Sequence, residues 1–151
     1  MFFAFIRSPV IFRIIHKIIH TITDKKTKLI WQKCSNGQYN DTRCSGESKF
    51  YEWEEAYNLC GSLKLAGKKW RIPTVAELTT LIIAGYQNPS IDRIAFPNTR
   101  SSYYWTSTIY NSNVFVLWYV DFDNGYVAYK DKQYSENRLF LRCVSGEWYS
   151  D

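Results

Sequence analysis

Four cysteines, at positions 34, 44, 60 and 143, constrain this chain more than any other feature of its sequence. No two have the close spacing of a zinc knuckle, and there is no CxxC redox motif. An even number at long, unequal intervals fits two disulfides, and with them maturation in an oxidising, extracytoplasmic compartment. Three pairings are open. In one of them Cys34–Cys44 closes a short loop rich in turn residues, "SNGQYNDTRC", and Cys60–Cys143 becomes a long staple. In the chain-entropy account such bonds contribute about 3 and about 4.5 kcal/mol.

The clearest local signal is "KKWRIPTVAELTTLI". Pro73 sets a helix entry, Thr74 suits the N-cap, and Glu77 stands where a capping box needs it. Val75, Leu78, Leu81 and Ile82 recur at helical spacing, so one face is buried. Gly85 and Pro89 are the expected stop signals. An earlier helix is expected over "YEWEEAYNLCGSL", with Trp53, Ala56, Tyr57 and Cys60 on its inner face. After residue 102 the pattern changes to strands: "YYWTST", then "NVFVLWYVDF" and "YVAYKDK" joined through Asp123-Asn124-Gly125 as a hairpin. "RLFLRCV" reads as a final strand, its arginines alternating with Leu139, Leu141 and Cys143. Two helices followed by antiparallel strands and hairpins make an α+β order, not the alternation of a parallel sheet. If Cys60 pairs with Cys143, the bond ties the first helix to the last strand.

The formal charge of +5 is concentrated early. Without Arg7, Arg13 and Lys17, the chain carries 16 Lys and Arg against 14 Asp and Glu. That near balance argues against nucleic acid as a partner. In residues 1–22, Ile11, Ile15, Ile18 and Ile22 share one helical face and Arg13, His16, Lys17 and His20 another. This basic amphipathic segment suits contact with a membrane interface; an atypical export signal or anchor, and upstream sequence that only looks like a start, are the other readings. Residues 23–151 are expected to form the folded domain.

Residues 21–151 contain no histidine, which removes the base of Ser-His-Asp and Cys-His systems and the ligands of His-bearing metal triads. Asp121 and Asp123 are the obvious carboxylate pair, but their spacing on one strand fits turn punctuation better than glycoside hydrolysis. "DFDNG" has oxygen ligands that suit calcium, yet the twelfth position of an EF-hand loop is here Lys132 in place of Glu. No catalytic residue, metal or cofactor is expected. Aromatic residues make up 18% of the chain. Among them Trp105 and Trp118 are expected in the core. Tyr119, Tyr129, Lys130, Lys132 and Arg138 are the candidates for an exposed ligand-binding face, where rings stack on sugars and cations meet an anionic glycan.

The layout is similar to the C-type lectin-like fold, and its motifs resemble one bacterial family, the Lcl C-terminal domain family of collagen-like adhesins. The matching stretches are "TITDKKTKLIWQKCSNGQ" (21–38), "YEWEEAYNLC" (51–60), "KWRIPTVAEL" (69–78), "YYWTST" (103–108), "LWYVDFDNGYV" (117–127) and "LRCVSG" (141–146), in the family's order. Where the family commonly has Gly in its opening motif, this chain has Lys28. The resemblance implies two disulfides, Cys34–Cys44 in an N-terminal hairpin and Cys60–Cys143 between first helix and last strand. It implies non-enzymatic binding, chiefly of glycan or sulfated polysaccharide; a surface protein is a further candidate partner, and the sequence lacks the calcium-dependent Glu-Pro-Asn motif of true lectins. A structural or assembly module of a surface appendage is the alternative, and the sequence leaves the oligomeric state open. A third reading, an oxidase of similar fold, would require a redox-active, exposed pair of thiols.

Overall fold

A computed structural model describes residues 20–148, so nearly all of the expected amphipathic segment 1–22 lies outside the described residues. The chain begins with β1 (Thr21–Thr23), antiparallel to β2 (Ile30–Gln32). Asp24 builds the turn between them, accepting the Lys26 N–H at 2.8 Å and the Thr27 hydroxyl at 2.7 Å. Lys28 then stands at φ 64°, the left-handed region in which glycine alone escapes Cβ strain. The departure from the family pattern thus falls at a position whose backbone favours glycine.

The remaining strands are β3 (Phe50–Tyr51), β4 (Tyr103–Tyr110), β5 (Asn113–Asp121), β6 (Val127–Asp131), β7 (Leu139–Phe140) and β8 (Val144–Ser145). They form a small sheet, β1-β2-β8, and a five-stranded sheet in the order β3-β7-β4-β5-β6. Pairing is antiparallel except between β4 and β7. With helices α1 (Trp53–Ser62) and α2 (Val75–Thr79), the architecture is α+β.

Both disulfides form as the family resemblance implied. Cys34 bonds Cys44 with Cα atoms 5.1 Å apart, and Cys60 of α1 bonds Cys143, just before β8, at 5.6 Å. All four cysteines are buried.

Three local expectations need correction. The capped helix is shorter than its periodicity suggests. Thr79 and Thr80 turn their hydroxyls back onto the carbonyls of Ala76 and Glu77, at 2.9 and 2.6 Å, competing with the helical ladder. Ile82 leaves the helix altogether and pairs with Ile91. Tyr57, expected inside, is exposed and stacks on Trp53 at 5.4 Å. The final strand splits in two: β7 joins the large sheet, whereas β8 crosses to β2.

The β4–β5 hairpin turns on Asn111 and Ser112, both at positive φ, between the paired Tyr110 and Asn113. That is the two-residue turn whose twist matches its strands. The β5–β6 connection is longer than an Asn-Gly hairpin turn. It runs through Phe122–Gly125, where the Gly125 N–H bonds the Asp121 carbonyl at 2.8 Å and Gly125 takes φ 81°. A Cβ on Gly125 would lie 3.0 Å from the Ile82 side chain.

Register divides the large sheet into two faces. Trp105, Leu117 and Tyr119 share one with α1, packing with Ala56, Cys60, Ile72 and Leu141. Tyr104, Val120 and Phe122 share the other with Leu78, Leu81 and Ile91 around α2. Between these cores lies Arg142, fully buried rather than alternating outward. Its guanidinium donates to the carbonyls of Gln32 and Lys33 and to the hydroxyls of Ser35 and Thr99, and it stands 4.7 Å from the Phe96 ring.

Candidate functional site

Beyond the reach of α2, the face that carries Val120 continues uncovered. Trp118 lies directly across from Tyr129 on β6, and Tyr110 closes the group from β4. Tyr110 and Tyr129 stack with ring centroids 3.9 Å apart and planes 18° from parallel. Trp118 meets both edge-on, at 5.3 and 5.9 Å. Aromatic pairs in these geometries contribute about 0.5–1.5 kcal/mol beyond their burial, so the trio holds its shape without a helix above it. Tyr129 is 52% exposed, and Tyr110 and Trp118 are half-buried. The Tyr129 hydroxyl beside it pushes the Tyr110 phenol above its ordinary value.

The sequence reasoning therefore placed Trp105 correctly and Trp118 wrongly. Trp105 is buried, its indole N–H donating to the Tyr51 carbonyl at 2.8 Å. Trp118 is a wall of a solvent-facing platform, because the element that covers its strand face stops at Thr79. Tyr110 was missed entirely. The signal available was its place at the end of an aromatic, β-branched run just before a turn-forming Asn-Ser pair.

The five residues nominated from sequence do not share one face. Tyr129 joins the platform. Tyr119 points to the opposite side, half-buried with its ring 5.0 Å from Tyr103, and burial raises its phenol pKa. Lys130 sits opposite Leu117, on the face that Tyr119 shares. Lys132 reaches back to α1, 2.8 Å from Glu54 and 4.1 Å from the Trp53 ring. The hydrogen bond from Lys132 lowers the Glu54 carboxyl pKa. Arg138 lies 3.4 Å from Glu52 and 3.9 Å from Glu55. Two of the three nominated cations thus have carboxylate partners on the first helix.

Asp121 and Asp123 brace the β5–β6 turn: the Asp121 carboxylate accepts the Asp123 N–H at 2.9 Å, and Asn124 accepts that of Tyr126 at 3.0 Å. Among the described residues no three His, Cys, Asp or Glu side chains gather as metal ligands would, and none of the four cysteines is a free thiol. No described helix is long and apolar enough to cross a membrane.

A sequence profile of the Lcl C-terminal domain matches residues 20–145, most of the chain. The chain belongs to the Lcl C-terminal domain family. No curated protein and no solved structure matches it. As a member of the Lcl C-terminal domain family it is expected to be surface-associated. Its aromatic platform and its first disulfide hairpin both fall within the matched residues.

Proposed function

We propose that this chain is a non-catalytic recognition domain that works outside the cytoplasm, on a C-type lectin-like scaffold, and binds glycan on the platform of Tyr110, Trp118 and Tyr129. One observation carries the reading: three mutually packed rings stand partly exposed at the end of a sheet face whose remainder is covered by α2 and the loop that follows it. Rigid, amphipathic aromatic surfaces give contact area at low entropy cost, and their faces match the C–H faces of sugar rings. The two disulfides support export, and the bond from α1 to the end of the chain supports the lectin-like arrangement. Because Lys132 and Arg138 already meet carboxylates, the platform favours neutral glycan over sulfated polysaccharide.

A glycan array probed at low and moderate salt, with and without calcium, tests this. Binding to neutral oligosaccharides that persists in salt and is weakened about tenfold or more by Trp118→Ala supports it. An array that stays empty under every condition overturns it.

A second reading, an assembly module, is favoured by a separate feature. Ile109, Val114 and Phe115 expose apolar side chains beside the β4–β5 turn, as subunit contacts do. Sedimentation showing an oligomer that Phe115→Glu dissociates would establish it.

A further inference from the structure

The loop between α2 and β4 forms a second, separate surface. Ile82 pairs with Ile91, the Ile83 N–H reaches the Ser90 carbonyl at 3.0 Å, and the Tyr86 N–H reaches that of Ile83 at 3.1 Å. The loop is also bonded to the β5–β6 turn, Asn88 N–H to Asp123 at 2.9 Å and Ser90 N–H to Phe122 at 2.7 Å. Arg93 then reaches back across it, one terminal nitrogen donating to the carbonyls of Gln87 at 2.7 Å and Asn88 at 3.1 Å. Asp92 fixes the next turn by accepting the N–H groups of Ile94 and Ala95 at 2.8 and 3.1 Å. Within it the stretch from Ile82 to Ile91, whose ends pair, is a compact Ω-type loop, a class frequently functional.

These bonds shape a cleft of about 460 Å³ lined by Gly85, Tyr86, Gln87, Asp92, Arg93 and Ile94, within the usual range of about 300–1,000 Å³ for ligand sites. Tyr86 is 51% exposed and Ile94 93%. The cleft thus has an exposed aromatic ring and an exposed aliphatic side chain at its rim. Arg93 also differs from most other described arginines, although the Arg43 guanidinium likewise meets no carboxylate. Arg71, Arg100 and Arg138 meet carboxylates and Arg142 is buried, whereas Arg93 is held by main-chain oxygens. Its other terminal nitrogen and its Nε have no partner among the described residues.

We propose that this cleft is a second saccharide site and takes a neutral pyranose. The inference rests on the glycan reading above. Tyr86 supplies a stacking face and Ile94 an apolar wall. Arg93 supplies fixed donors, while Asp92 and the Gln87 amide supply acceptors, the complement of two neighbouring sugar hydroxyls. The loop is already braced, so little ordering is lost on binding. Neutrality follows from the charges: Asp92 lines the same wall as Arg93, and the Asp123 segment is bonded to the loop beside it, so an acidic sugar meets a carboxylate wherever it meets the guanidinium.

The test is a nitrogen-15 NMR titration of the full chain with methyl glycosides of glucose, galactose, mannose and N-acetylglucosamine, and with glucuronate and glucose 6-sulfate as acidic arms. A neutral glycoside is expected to shift the amides of Tyr86, Gln87 and Ile94 and the Arg93 side chain. Arg93→Gln and Tyr86→Ala should each weaken that response about tenfold or more, with the spectrum elsewhere showing an intact fold. Response to the acidic arms alone overturns the proposal. So does response confined to Trp118 and its neighbours, which leaves the platform reading standing. Silence at both surfaces overturns the two together.

Discussion

Arg71 and Glu77 are joined by two parallel hydrogen bonds, each 2.7 Å, that pair both terminal guanidinium nitrogens with both carboxylate oxygens. The same carboxylate accepts the Thr74 N–H at 2.9 Å, and the Thr74 hydroxyl accepts that of Glu77 at 3.1 Å, completing the capping box. Arg71 donates further to the Gly146 carbonyl at 3.2 Å and lies 3.7 Å from the Trp148 ring. A short helix without reactive groups is specified so carefully because its cap latches the end of the chain.

Arg71→Met removes the cation while Glu77 stays buried. Stranding one partner of such a pair typically costs about 3–5 kcal/mol. We expect the urea midpoint to fall accordingly with little change in slope, and Glu77→Gln to cost less than Arg71→Met because it buries no uncompensated carboxylate. Equal losses in the two variants would show that a carboxylate buried without its cation is not the source of the cost.

Arg142 has the larger structural role. Removing it leaves the Gln32 and Lys33 carbonyls and the Ser35 and Thr99 hydroxyls without their shared donor, at about 1–3 kcal/mol for each group left unsatisfied. Arg142→Leu should therefore fail to accumulate as folded protein. Arg142→Lys should fold but melt well below the parent, since one ammonium cannot reproduce the planar fork. A differential scanning calorimetry trace of Arg142→Lys that overlays the parent's would refute this.

The buried Tyr104 phenol should contribute a loss of stability in alkali, against an opposing contribution from Arg142. Burial raises the Tyr104 pKa above its ordinary 10.0, outweighing the opposing pull of Arg142. A raised acid keeps its proton in the folded state after the unfolded chain has lost it. Its contribution is thus complete below pH 10 and is lost as pH climbs through the folded value. Arg142, pushed down to about 10 by burial, acts with the opposite sign, because the folded state sheds its proton first. Tyr104→Phe should lower stability at neutral pH by about 1–2 kcal/mol through the lost Ser35 and Arg100 bonds. It should also flatten the fall measured between pH 9.5 and 11, and an unaltered slope would count against the assignment.

Lys28 offers a gain. Its left-handed backbone costs about 1–2 kcal/mol for a residue with a Cβ, offset in part by the unfolded-state freedom of glycine. Lys28→Gly should raise stability by up to about 1 kcal/mol, seen as a higher denaturant midpoint. A destabilised variant would mean that the lysine side chain compensates in ways its exposed position does not suggest.

Much of the fold was legible in residue order. The capping box at Thr74, the β5–β6 hairpin and the inward alternation of Leu139, Leu141 and Cys143 follow from local rules. What escaped the sequence was decided by distant partners. Arg142 reads as an exposed arginine of an alternating strand, and only the Gln32–Ser35 segment folding over it makes burial tolerable. Trp118 reads as core because nothing local reveals that α2 ends before reaching it. The platform was only partly visible: Tyr129 was nominated, whereas its stacking partner Tyr110 lies on another strand beside the Asn111-Ser112 turn, whose weak signal was passed over.

The bond between Cys60 and Cys143 spans a sequence separation of 83, and this dictates how the domain bears mechanical load. A pull applied at its two ends passes from residue 60 through sulfur to residue 143, leaving everything between them free of tension. The aromatic platform and the braced loop both lie inside that sheltered segment, so stretching would strip the small sheet and the first hairpin while both surfaces kept their shape.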